Sequence, residues 1–175
     1  MTSEERADLL ARLAAGRDAL AAALDGMTDA EAAARGPEGR WSALDNVEHV
    51  TLGEALMMRG VAAAVPIPGE SAPGRENLIF ARAQTRVRKV NAPEGTHPSG
   101  EYRTVAAALA RFDEVRARTV AFVETCTHDL RLCPTTHPLM GPLTCMECLA
   151  LIAAHPFRHA AQIRELRGIA GTGGA

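Results

Sequence analysis

Apolar residues recur at three- and four-residue steps over four long stretches of this chain, separated by stretches rich in proline and glycine. The first is residues 2–24, where Leu9, Leu10, Leu13, Leu20 and Leu24 form a stripe with arginine and aspartate between them. That spacing predicts an amphipathic helix. Thr2 and Glu5 have capping-box spacing at its start, and Gly26 closes it. A second box, Thr28 with Glu31, predicts a short helical turn before G-P-E-G at 36–39 breaks the chain. The next long helix starts at Trp41-Ser42, with Ser42 as N-cap and Asp45 in the first turn, where negative charge meets the positive helix end. It is expected to run to about Ala64, ahead of Pro66 and Pro68.

Residues 65–100 are the least regular part, with V-P-I-P-G, S-A-P-G and N-A-P-E-G-T-H-P-S-G. The intervening L-I-F-A-R-A-Q-T-R-V-R-K-V fits a short helix or an extended segment equally well. Residues 101–125 read as helix again, with Val105, Leu109, Phe112, Val115, Val120 and Val123 near one stripe. Residues 127–142, with Pro134, Pro138 and Gly141, are expected to be a loop. The last helix is predicted from about Thr144 to Arg167, opened by a Thr144–Glu147 capping box and followed by a frayed G-T-G-G-A tail. Four long helices and one long connection predict an all-α fold, a single-domain helix bundle over residues 1–175 with a crossover between the second and third long helices. Connections of that length often cover a site.

Composition fits this picture. Hydrophobic residues make up 47% and aromatic residues only 3%, so the core is filled by small and branched aliphatics. The formal net charge of −2 gives no basic field for nucleic acid or anionic lipid. No apolar run reaches the ~18 residues of a membrane span. The acidic, polar N-terminus is unlike a secretory signal, and the expected location is the cytoplasm. Ala-rich helices with few charges could pack on a twin, so a homodimer is an open expectation.

Candidate chemistry rests on three histidines. His155 and His159, in A-A-H-P-F-R-H-A-A-Q-I, are spaced i, i+4, which puts both imidazoles on one helix face. Cys148, Ile152, His155, His159, Ile163 (or Gln162) and Leu166 fall on the apolar line of the last helix, so both histidines face inward. His49 shares a row with Leu52 and Leu56 and can face the core too. A lone inward histidine commonly donates to a backbone carbonyl, and an i, i+4 pair arises by chance. Three converging buried imidazoles need a stronger reason, and a divalent metal with open positions supplies one. Zn²⁺ suits three imidazoles, and Ni²⁺, Fe²⁺ and Mn²⁺ stay open. Asp45, one turn before His49, and Gln162, three residues past His159, are candidates to orient the ligands. Asp45 has an equally good reading as a first-turn helix residue. Glu48 points about 100° away from His49 and is a poor ligand. His137, before Pro138, is a candidate for the site mouth; His97 and His128 are read as loop residues. Pro156, inside the last helix, predicts a kink beside His155.

Cys126, Cys133, Cys145 and Cys148 cluster in one quarter of the chain and do not resemble a disulfide framework. Cys145-x-x-Cys148 lies at a helix start, where a thiol can be activated, but core hydrophobe is the better reading. The basic stretch R-A-Q-T-R-V-R-K reads as a solvated face, with an anion-holding role as the alternative.

The order W-S-x6-H (Trp41, Ser42, His49), H-P-L-M-G-P-L (137–143) and H-P-F-R-H-A-A-Q-I (155–163) resembles the DinB-like, YfiT-type family of metalloenzymes. A-P-E at 92–94 and H-P-S-G at 97–100 resemble its middle part. Pro156 departs from the more helix-friendly residue usual there. The resemblance implies an up-down-down-up four-helix bundle with a long crossover, and a divalent metal on His49, His155 and His159. It also implies a small-molecule substrate. Relatives include S-transferases that use low-molecular-weight thiols such as bacillithiol or mycothiol, and a mycothiol-dependent maleylpyruvate isomerase. The leading expectation is a thiol S-transferase whose metal activates a thiol or water. The alternatives are a metal-dependent hydrolase, or a non-enzymatic stress-related binding protein with a vestigial site.

Overall fold

The helices start where their caps place them. In a computed structural model that describes residues 1–85 and 91–168, Thr2, Thr28, Ser42 and Thr144 each accept from the backbone three residues on. In each case the Glu or Asp at that position reaches back to the cap. These boxes open α1 (Ser3–Leu24), α2 (Asp29–Ala33), α3 (Ala43–Ala63) and, at the far end of the chain, α6 (Cys145–Leu166). The ambiguous stretch of the crossover forms α4 (Glu76–Ala83). Thr104 caps α5 (Val105–Thr125) without a reciprocal partner. A 3₁₀ turn at Pro37–Gly39 stands where G-P-E-G breaks the chain.

Residues 127–142 are not simply a loop. They contain β1 (Pro134–His137), paired antiparallel with β2 (Gly141–Thr144) in the register Pro134↔Thr144 to His137↔Gly141. Gly141, at φ +71°, takes the left-handed conformation that closes the hairpin. The expected frayed tail lies outside the described residues, as does the Arg86–Lys89 half of the basic stretch.

Two apolar clusters fix the helix directions. One joins Leu9 and Leu13 of α1, Met57 and Val61 of α3, Val123 at the end of α5, and Cys145 to Ala153 of α6. The other joins Leu20 and Leu24, then Val47 and Val50, then Ala108 and Phe112, then Ala160 and Ile163. One end of the bundle therefore holds the starts of α1 and α6 and the ends of α3 and α5. That is an up-down-down-up four-helix bundle. α6 packs against α1 and α3, α5 packs against α3 and α1, and α4 lies on α6. Because α3 and α5 run parallel, the crossover must return the full length of the bundle. Between the clusters Glu54, 1% exposed, accepts from Arg116 Nη2 and Thr119 Oγ1, both at 2.7 Å, and Arg116 Nη1 donates to the Leu13 carbonyl. This buried polar bridge ties α1, α3 and α5 together.

α6 runs unbroken through Pro156. The proline sits against Gly16 of α1: a Cβ on Gly16 would lie 3.5 Å from the Pro156 ring and 2.8 Å from the Ala153 carbonyl oxygen. α1 thus gives up a side chain where α6 carries its proline. Among the described residues no helix is long and apolar enough to cross a membrane.

Candidate metal centre

The capping box that starts α3 sets the phase of that helix and turns His49 toward α6. The i, i+4 spacing on α6 turns His155 and His159 toward α3. The three imidazoles meet: one ring nitrogen from each lies within 4.8 Å of the others. His49 and His159 are buried, and His155 is partly buried. Ring centroids stand 5.0 Å apart for His49 and His155, 4.7 Å for His49 and His159, and 4.6 Å for the α6 pair. Room for His155 comes from Gly53, one turn beyond His49, where a Cβ would lie 3.3 Å from the imidazole Cε1.

Two of the rings have their tautomer set by hydrogen bonds. His49 Nδ1 donates to the Thr96 carbonyl at 2.8 Å, leaving Nε2 with its lone pair. Asn46 Nδ2 donates to the Ser42 carbonyl, which fixes that amide so that Oδ1 accepts from His159 Nδ1 at 2.8 Å. His159 Nε2 therefore also presents a lone pair. It lies 3.0 Å from His155 Nε2. Two lone pairs repel at that distance, so a proton or a cation must stand between them. In the metal-free protein His155 supplies the proton from Nε2, which leaves its Nδ1 buried and without a partner among the described residues.

The electrostatics favour the neutral forms of His49 and His155. Burial pushes the His49 pKa down, partly opposed by the Thr96 carbonyl. His155 is pushed down to about 3, first by burial, then by neighbouring His49, Arg158, His137 and Arg116. Neutral imidazole is the form that ligates a metal. Two inward Nε2 lone pairs oriented from behind, and a third imidazole whose Nδ1 is buried and orphaned, are a donor set that could hold a divalent cation.

The other candidates are placed differently. Asp45 serves its own helix end: Oδ2 accepts from Ser42 N at 2.9 Å and lies 3.4 Å from Arg35 Nε, so it does not orient His49. Its neighbour Asn46 takes the role expected of it, but toward His159. Gln162 is partly buried and makes no hydrogen bond to the three rings. His137 sits at the hairpin turn, where Nδ1 accepts from Leu139 N and Met140 N at 3.2 Å; burial lowers its pKa. Its charge would bear on His155. His128 and His97 are exposed loop residues, although the His97 ring stands 6.3 Å from Trp41. Trp41 covers the triad, 4.8 Å from His49 and 6.4 Å from His159 by ring centroids. The thiols take no part: all four cysteines are buried, and burial pushes Cys145 and Cys148 up to about 12.

Thr96 and Asn46 escape a reading by residue type. A backbone carbonyl carries no signature, and Asn46 reaches across to another helix. The available signal is an asparagine on the buried side of α3, one position beyond Asp45.

YfiT from Bacillus subtilis, a probable metal-dependent hydrolase with an unusual four-helix bundle topology, shares this fold: the TM-score is 0.62 over 96% of this chain and 89% of that one, at 18% identity. A comparison with curated proteins gives no match. The model of the DinB superfamily matches residues 12–163, which takes in α3 and α5 whole, the greater part of α1 and α6, and the three histidines. This chain belongs to the DinB superfamily.

Proposed function

We propose that this protein is a metal-dependent hydrolase of small molecules, with His49, His155 and His159 holding one divalent cation. The observation that carries this reading is the convergence of three imidazoles, two of them held by Thr96 and Asn46 with Nε2 turned inward. The description of YfiT as a probable metal-dependent hydrolase supports the reaction class. Bound there, the cation would lower the pKa of water or a thiol and polarise a carbonyl. The chain's own part is to bring no negative charge to the ligands, so that the cation's charge stays undiminished. Trp41 shields one side of the triad, and His137 lines the mouth on the side of His155. Zn²⁺ suits the donor set best.

The finer reading is a thiol S-transferase; because burial holds Cys145 and Cys148 as thiols near neutral pH, these two would not supply its thiolate, which would come with a low-molecular-weight cosubstrate. Protein purified without a His-tag is expected to carry about one equivalent of metal and to lose it in His155→Ala. Metal below ~0.2 equivalents, unchanged by that substitution, would sink both readings. With metal present, turnover of ester and amide substrates without added thiol supports the hydrolase; strict dependence on thiol assigns the transferase instead.

A further inference from the structure

Glu48 is a buried carboxylate, 2% exposed, that no arginine or lysine among the described residues neutralises. Leaving such a charge unpaired is costly unless strong hydrogen bonds replace water. They do, and all come from one short segment. Oε1 accepts from Ser99 N and Ser99 Oγ, each at 2.7 Å; Oε2 accepts from Gly100 N at 3.0 Å and Glu101 N at 3.1 Å. Three successive backbone N–H groups wrapped on a carboxylate form an anion nest, and Gly100, at φ +77°, supplies the turn it needs.

The same segment, three residues earlier, supplies the Thr96 carbonyl that holds His49 Nδ1. Thr96 is itself fixed by a turn, with N and Oγ1 both donating to the Pro93 carbonyl. Among the described residues, every hydrogen bond from 96–101 to α3 ends on Glu48 or His49. Adjacent residues of one helix thus grip two points of one segment. Without Glu48, the bond from the His49 imidazole would be the one hydrogen bond left, among the described residues, between 96–101 and α3.

We propose that Glu48 is a positioning residue for His49: by clamping residues 99–101 it holds the Thr96 carbonyl in place and thereby keeps His49 Nε2 available as a ligand. Its bearing on metal affinity rests on the metal-site reading above; its bearing on the ring does not.

Glu48→Gln separates the two. The amide keeps one acceptor but turns its NH₂ toward backbone donors at Gly100 and Glu101, so half of the clamp fails. In metal-free ¹⁵N-labelled protein, long-range imidazole spectra should show wild-type His49 protonated on Nδ1 alone. In Glu48→Gln the 99–101 amides should exchange faster and His49 should become a mixture of tautomers. Zinc affinity should fall about 10–100-fold, the usual cost of losing a group that orients a ligand. Faster amide exchange with His49 still wholly Nδ1-protonated, and zinc affinity within about twofold of wild type, would overturn the proposal and leave Glu48 a loop anchor only. If wild type binds no zinc but the tautomer still shifts, the metal reading fails and the positioning role stands. Should Glu48→Gln not fold, Ser99→Ala removes one bond at Oε1 and is judged by the same two readouts.

Discussion

His155 is kept from protonation on several sides: by burial, by His49 next to it, and by the positive charges of Arg158 and Arg116. This has a sign that can be measured. In the unfolded chain a histidine titrates near 6.5, whereas in the fold His155 titrates at about 3. Between those values the unfolded state binds the extra proton. Metal-free protein is therefore at full stability, as far as this residue is concerned, above about pH 6.5, and loses stability as the pH falls toward 3. Melting curves between pH 6.5 and 5, above the main carboxylate range, should show a steeper decline for wild type than for His155→Asn. Equal slopes would mean that His155 is not held neutral. At this scale the sequence was partly legible. The triad shows in spacing, because helical periodicity carries His49, His155 and His159 to one interior. The groups behind the rings do not show. Asp45 was the natural choice along its own helix, but its carboxylate is taken by the Ser42 cap, and the acceptors come from across the bundle and from a main chain.

Element boundaries were legible wherever a cap marked them, since Thr or Ser with Glu or Asp three residues on is both the sequence signal and the hydrogen-bond pattern. The β1–β2 hairpin was not legible. Each strand has four residues, too few for a period, and Pro134 and Pro142 argue against a strand until their missing N–H groups are placed on a two-stranded edge. Helical glycines were also opaque, because they read only as a cost of about 1 kcal/mol against alanine. Their neighbours explain them, and predict opposite outcomes. Gly16→Ala puts a Cβ 2.8 Å from the Ala153 carbonyl oxygen, and backbone cannot yield cheaply. Urea titration should show a loss of roughly 1–3 kcal/mol despite the gain in helix propensity. Gly53→Ala meets the edge of an imidazole at 3.3 Å, so the ring must shift by a few tenths of an ångström. That variant should melt near wild type but bind zinc more weakly. A more stable Gly16→Ala would contradict the close approach of α1 and α6.

On the scale of the molecule, the two apolar clusters divide the labour. The end with the four cysteines and the hairpin is a packed thiol-rich core, and the triad stands between α3 and α6 where that core gives way to the second cluster. The sequence carried the helix count and the long crossover, because stripes and breaks mark them. The directions came only with the resemblance to a known family, since no local pattern tells a parallel neighbour from an antiparallel one. The Glu54–Arg116–Thr119 bridge was invisible for the same reason: its members lie 62 and 65 positions apart and meet only once α3 and α5 are side by side. The parallel α3–α5 pair also explains why the crossover is available to the site. A chain that must travel back along the bundle passes the triad on its way, and there Glu48 and His49 take hold of it.

Trp41 is the only tryptophan in the chain, and its indole lies within 4.8 Å of one triad ring and 6.3 Å of the loop imidazole His97. The protein therefore carries its one indole fluorophore at its site. Far-UV signal reports the helices, while Trp41 emission reports the closing of a segment that meets its helix across 47 to 53 residues of chain. Closure over such a span waits on the bundle that shapes it. In a refolding experiment the emission should trail the helical signal, with the candidate centre as the last part of the molecule to acquire its form.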